Sequence, residues 1–326
     1  MSAPDLGYLC LSENPSAEAG RALIRQFVLV REAERMGYDD IWLAEHHFDG
    51  LWPHGGVMAL LGQLTALTTK SRIGSLVLMP GLHPPLQMAE HIATLDLLSK
   101  GRFQFGVASG AAMHQTLKAH GLTPTQARER LHTHLDQVMA LLAGQPLAGH
   151  DANSGLSLVP SPTQAQVPVW VAADDARTVQ RAAAQGWGLV AAATHSRARV
   201  NRMVDTYMQA SNGRAPELTL ARFASTADTH EAALAIAQPY AEQLAVHAQA
   251  MGWGEDTGRS LARQPQALLA ESLLGSHEEV AAQFKAMAGS HGATRIAIVP
   301  MSGQFDTHKH ILADFVDEIR PMLDED

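Results

Sequence analysis

Short apolar runs alternate along the chain with longer stretches whose apolar positions recur every three or four residues. The first pattern suits a strand and the second a helix packed on one face. "LGYLCLS" (6–12) reads as a strand. Residues 17–36 follow with Leu23, Phe27, Val30 and Ala33 on one helical face, and Gly37 stops them. "DDIWLAEHH" (39–47) is the second strand and 56–69 the second helix. "RIGSLVLMPG" (72–81) is almost continuously apolar, as expected of a strand covered on both faces. A helix beginning after His83-Pro84-Pro85 carries Leu86, Ala89, Ala93 and Leu97 on one stripe. "RFQFGVASG" (102–110) is the fourth strand, followed by a helix over about 123–143.

The rhythm continues through the second half. Residues 144–167 are rich in Gly, Pro and Ser and read as a surface loop. Strands are expected at 167–173, 187–193, 217–225 and 294–300, with helices after Asp175, from Arg197 to Ala210, over "LLGSHEEVAAQFKAMAGSHGA", and at the end, where Leu312, Phe315 and Ile319 face inward. Between the seventh and eighth strands the helical region running to about 272 is too long for a simple connection. Its glycine-broken middle, "AMGWGEDTGRS", reads as a lid. Eight strands, each followed by a helix, with no shift of composition between halves, predict one (β/α)8 TIM barrel over residues 1–326, with an insertion between strands seven and eight. A doubly wound sheet binding a dinucleotide would want G-x-G-x-x-G after the first strand; "CLSENPSAEAG" stands there instead.

Composition narrows the partners. The 326 residues carry 24 Lys plus Arg against 33 Asp plus Glu, a net charge of −9 with no basic cluster, which argues against nucleic acid. A single cysteine, Cys10, makes no internal disulfide and fits a reducing cytoplasm. No signal peptide and no run of eighteen apolar residues is read, so a cytoplasmic protein without a membrane span is expected. Seventeen histidines invite a metal, but no pair has ligand spacing: His277-Glu278-Glu279 lacks a second His, and His132 and His134 fall on different faces of a helix.

In a barrel, chemistry sits where the strands end. Glu45, His46, His47 and Phe48 end the second strand, Met79-Pro80-Gly81 the third, Ala108-Ser109-Gly110 the fourth, and Ala172-Ala173-Asp174-Asp175 the fifth. The small residues either make room for a flat ligand or let barrel layers pack. Asp175 is a plausible N-cap, and Thr178 with the amides of the same turn would suit a phosphate; a plain helix cap explains the same residues. His46 is suited to acid–base work at neutral pH, or else holds the rim by bonding Glu45 or Asp96. Phe48, Trp52 and Met79 suit an apolar wall. Trp42 suits the core, and Cys10 a small buried hydrophobe.

Four segments resemble one family in order and spacing. "AERMGYDDIWLAEHHF", "LHPPLQMAEHIATLDLLSKGRFQFGVASG", "VPVWVAADDARTVQRAAAQG" and "LLGSHEEVAAQFKAMAGSHGATRIAIVP" are similar to the bacterial luciferase-like, flavin-dependent monooxygenases over nearly the whole chain. The resemblance implies a TIM barrel, commonly a homodimer. It implies reduced FMN (FMNH2) supplied by a separate NAD(P)H:flavin reductase, and O2 as co-substrate. A small organic substrate would be oxygenated through a C4a-peroxyflavin. His46 matches the family's catalytic acid/base, with Glu45 and His47 in support. Asp174, Asp175 and Thr178 match positions at the flavin's ribityl-phosphate end. Ser75-Leu76 falls where members often have a non-proline cis peptide under the flavin ring, with Leu76 as its support.

Ala108-Ser109 stands where the light-emitting chains have a Cys-Arg pair, so the flavin contact at these two residues differs and luciferase itself is not expected. Arg177 or Arg222 is the candidate to replace the lost charge. The alternatives are an F420-dependent dehydrogenase on the same barrel, a flavin-binding homologue without turnover, and a metal-dependent hydrolase. Substrate selection falls to Leu51, Trp52, Met113 and the 250–272 region.

Overall fold

The computed structural model describes residues 4–146, 156–173, 175–253 and 260–323. Its strands are β1 (Asp5–Cys10), β2 (Asp40–Leu43), β3 (Arg72–Ser75), β4 (Phe103–Val107), β5 (Val169–Val171), β6 (Gly188–Ala191), β7 (Leu218–Thr226), β8 (Leu273–Gly275) and β9 (Arg295–Pro300). Strands β1 to β6 pair in sequence, β6 pairs with β7, β7 with β9 and β9 with β1, all parallel. The ring is therefore closed by eight strands, and the fold is a (β/α)8 barrel.

The helices are α1 (Ala19–Met36), α2 (Val57–Leu67), α3 (Pro85–Leu98), α4 (His114–Ala119), α5 (Pro124–Leu142), α6 (Ala176–Gln185), α7 (Arg197–Ala210), α8 (His230–Ala250), α9 (Pro265–Glu271), α10 (His277–His291), α11 (Phe305–Asp314) and α12 (Arg320–Leu323). Helix α1 ends as its sequence predicts: Gly37 takes a left-handed φ of 94° and its N–H returns to the Ala33 and Glu34 carbonyls.

One ladder differs from expectation. Leu273-Leu274 read as the start of a helix, yet β8 pairs with the end of β7, outside the closed ring. Ser276 is the reason. Its side chain accepts from the Glu279 amide while Glu279 reaches back to the Ser276 amide, a capping box that fixes the helix start at His277. The short α4 has no signal in the sequence, because six residues give too little periodicity to read.

Alternate strand positions face opposite sides, and the core splits accordingly. Tyr8, Ile41, Ile73, Phe105, Leu189, Leu220 and Ile298 pack outward beneath the helices. Leu9, Trp42, Trp170, Ala221, Phe223 and Ala297 pack inside the ring. The Trp42 and Trp170 indoles meet edge to face at 6.3 Å and fill the lower barrel. Gly74 and Gly188 make this possible: a Cβ there would stand 2.7 Å and 2.4 Å from the two indoles. Below them, Arg72 and Gln104 bond Asp40, and Arg295 lies over the Trp170 ring at 4.3 Å. With its N-terminal end plugged, the barrel has, among the described residues, an open interior space at the C-terminal ends of the strands.

Candidate active site

That space is a cavity of about 510 Å³, lined from nearly every strand end: Leu9 and Leu11 after β1, Glu45 and His46 after β2, Leu76 and Met79 after β3, Ala108 to Met113 after β4, Ala172 and Ala173 after β5, Ala192 to His195 after β6, and Phe223 on β7. Its size is in the range of small-molecule and cofactor sites. Ala108 to Ala112, Ala172, Ala173, Ala192 and Ala193 contribute small side chains to the lining, whereas Trp52, Met113 and Trp253 contribute large apolar ones.

His46 is 8% exposed and sits against two indoles, 4.9 Å from Trp52 and 5.9 Å from Trp253, which themselves stack at 5.1 Å. Burial drives its pKa down to about 4, against the pull of Asp49 and Glu45, so the imidazole is neutral at physiological pH. Its carboxylate neighbour is Asp49, with Oδ2 3.6 Å from Nδ1, rather than Glu45 or Asp96. Asp96 is instead taken by Gln164. Glu45 is a brace. Its Oε1 meets His47 Nε2 at 2.8 Å and His83 Nε2 at 2.6 Å, and its Oε2 accepts from the Met79 amide at 2.6 Å. Burial opposes its charge, yet these partners hold its pKa at about 2. A carboxylate so occupied ties β2 to the β3 exit and fixes the direction in which His46 leaves the strand.

The remaining expected residues divide. Leu76, Ala108 and Ser109 line the cavity. Ser75 does not: it is fully buried, its hydroxyl donating to the Gly106 carbonyl at 2.8 Å and accepting from the Gly106 amide at 3.0 Å. The non-proline cis bond is present but lies one residue later than expected, at Leu76-Val77. Asp174 lies outside the described residues. Asp175 caps α6, accepting from the Thr178 amide and hydroxyl at 2.9 Å each, and Thr178 also faces His132 at 3.2 Å. Neither residue is among those lining the cavity. Phe48 turns outward at 66% exposure, and Trp42 is core. Trp52, Met79 and Met113 do line the cavity; Leu51 does not. Of the expected lid, Trp253 and Ser260 reach the cavity, and residues 254–259 lie outside the described residues.

Among the described residues the arginines lining the cavity are Arg128 and Arg199, not Arg177 or Arg222. Arg177 is on the surface of α6. Arg222 is fully buried on β7, donating to the Ala221 carbonyl. Arg128 sits one turn into α5 and Arg199 in the first turn of α7, so each rises at the N-terminal end of a helix that follows a barrel strand. That position, rather than any motif, was the available signal. Among the described residues no group of three or more His, Cys, Asp and Glu is placed to hold a metal ion, and no helix is long and apolar enough to cross a membrane.

The family model for luciferase-like monooxygenases matches residues 5–295. The chain belongs to this family. A curated relative, the alkanal monooxygenase alpha chain of Photobacterium phosphoreum, is 35% identical over 126 residues, 37% of this chain and 35% of that protein. The chain thus aligns with only about a third of that relative's length. Solved structures show the same barrel at low identity. The FMN complex of the oxygenating constituent of 3,6-diketocamphane monooxygenase from Pseudomonas putida superposes with a TM-score of 0.79 at 16% identity, covering 98% of each chain. An F420-dependent secondary alcohol dehydrogenase gives 0.76 at 14%, covering 99% of this chain and 100% of that one.

Proposed function

We propose that this luciferase-like protein is the oxygenating component of a two-component monooxygenase, using FMNH2 from a separate reductase and O2 to oxygenate a small organic substrate. The observation that carries the reading is His46, a neutral imidazole buried in the wall of a cavity to which the ends of β4, β5 and β6 contribute mostly small side chains. A flat tricyclic ring needs such a wall, and acid–base chemistry at oxygen needs such a group. Leu76, Ala108 and Ser109 would hold the ring, and Arg128 and Arg199 would meet the phosphate in place of an arginine at position 109. Reduced FMN, when bound, supplies the electrons that activate O2. His46 holds or releases the proton, and the Trp52–Trp253 stack keeps water from that edge. A homodimer fits the exposed leucines 86, 97 and 98 of α3.

The test is anaerobic titration with FMNH2 followed by mixing with oxygenated buffer, reading hydrogen peroxide release across a panel of candidate small organic substrates. Tight binding and peroxide release suppressed by a substrate are the expected result. Failure to bind FMNH2, with binding of reduced F420 in its place, overturns the reading in favour of hydride transfer on the same barrel.

A further inference from the structure

Beneath the tryptophan stack, Asp49 stands between two imidazoles. Its Oδ1 accepts from the Leu51 and Trp52 amides at 2.9 Å each and lies 2.9 Å from His247 Nε2. Its Oδ2 is buried, has no hydrogen-bond donor among the described residues, and faces His46 Nδ1 at 3.6 Å. One oxygen thus accepts two amide hydrogen bonds and has the His247 ring nitrogen beside it, while the other is left for His46. At 1% side-chain exposure Asp49 lies in a region of weak screening. Burial opposes its charge, but His247, His46 and the Trp52 amide together keep its pKa below the ordinary value, so it stays a carboxylate.

Among the described residues the other polar groups near His46 have partners of their own. Both oxygens of Glu45 are occupied by His47, His83 and the Met79 amide. His54 presents Nδ1 to the Ala44 carbonyl and Nε2 to Ser12 and Gln26. Tyr240, on α8 beside His247, turns its hydroxyl to Glu13. His114 lines the same cavity, and His120 meets His47 edge to face rather than His46. The rings of Trp52 and Trp253 limit how far the imidazole can turn.

We propose that Asp49 and His247 are positioning residues for His46: they hold its imidazole in the tautomer with the proton on Nδ1, leaving Nε2 as the basic nitrogen. Asp49 Oδ2 receives the Nδ1–H, and His247, from the last turn of α8, fixes the carboxylate from its far side. When Nε2 takes a proton, the imidazolium so formed keeps Nδ1–H and is stabilised by a carboxylate that remains ionised. The 3.6 Å separation is beyond hydrogen-bond length. A base and its orienting group commonly stand this far apart before a reactant is bound, and shorten with it. The consequence for turnover rests on the proposed function; the tautomer does not.

The experiment therefore begins with the flavin-free protein. Histidine-15N-labelled protein is examined by long-range proton–nitrogen correlation at neutral pH, with His46 assigned by its loss in His46→Gln. The expected result is a protonated Nδ1 and a bare Nε2. Asp49→Asn presents an amide that can donate to Nδ1, so the tautomer should reverse; unchanged Nδ1 protonation overturns the proposal. His247→Gln can still donate to Asp49 and should keep the native tautomer. His247→Phe should give a mixture, and it carries the same test if Asp49→Asn does not fold. With FMNH2 bound, Asp49→Asn should lower kcat on the order of 100-fold while reduced-flavin affinity is unchanged. If the wild-type protein binds no FMNH2, the proposed function falls while the tautomer stands or falls by its own spectrum.

Discussion

His46, Glu45 and Gly106 show how differently neighbouring positions near one barrel mouth behave. His46 touches the cavity, and its replacement leaves the wall of small residues in place. His46→Ala should reduce substrate oxygenation by about 100-fold or more with reduced-flavin binding retained, measured by product formation against titration. Loss of flavin binding instead would make His46 a residue of the scaffold. Gly106 has the opposite character. A Cβ there would stand 1.9 Å from the Ser75 carbonyl oxygen, which is backbone and cannot yield as a side chain can. Gly106→Ala should therefore cost about 3 kcal/mol or more, read as a lower urea midpoint, even though it adds a single methyl group.

At the scale of elements, the caps decide where the chain turns from strand to site. Asp175 closes the N-terminus of α6 with its own carboxylate and holds Thr178 by two bonds. Asp175→Ala should cost about 1 kcal/mol of stability by thermal or urea unfolding. If it also weakens FMNH2 binding strongly, the turn is a ligand contact as well as a cap. Ser276→Ala removes half of the capping box that separates β8 from α10 and should cost a similar amount, about 1 kcal/mol. Neither helix needs intrinsic propensity to explain its start. The sequence places a good acceptor at the last extended residue, and the helix begins behind it.

Across the whole molecule, buried neutral histidines set the acid limit of the fold. Burial holds His46, His54 and His308 at about 4, with His46 adding its repulsion at His54, and burial holds His195 well below its ordinary value. An unfolded chain binds protons at these histidines near pH 6.5, whereas the folded protein does not until about pH 4. Their contribution is thus fully present above pH 6.5 and is lost as pH falls towards 4, about 3 kcal/mol for each of His46, His54 and His308. Glu13 acts the other way. Burial raises it to about 7, so it regains stability as pH falls from 7 to 4.5. Three histidines outweigh one carboxyl, and urea unfolding over this range should show stability falling by several kcal/mol between pH 6.5 and 4. A flat profile would mean that these imidazoles reach water in the folded state.

What the sequence determined by itself is the repeating unit and its outlets. Periods of two and of 3.6 residues are local properties, so eight barrel strands and most of their helices could be read from them. Glu45-His46 at one strand end and Ala108-Ser109 at another marked the mouth, because a barrel puts its strand ends together whatever their loops contain. The tertiary structure decided which groups meet. Asp49 reaches His46 only because a left-handed residue at Phe48 turns the chain back, and His247 meets the same carboxylate from 198 residues further along. Arg128 and Arg199 join the cavity from helix starts on two different loops, a meeting that neither helix encodes alone. Ser75, Asp175 and Thr178 looked available for binding in one dimension. In three they are held by Gly106, by each other and by His132, since a buried hydroxyl or carboxylate takes whatever partner the fold brings within reach.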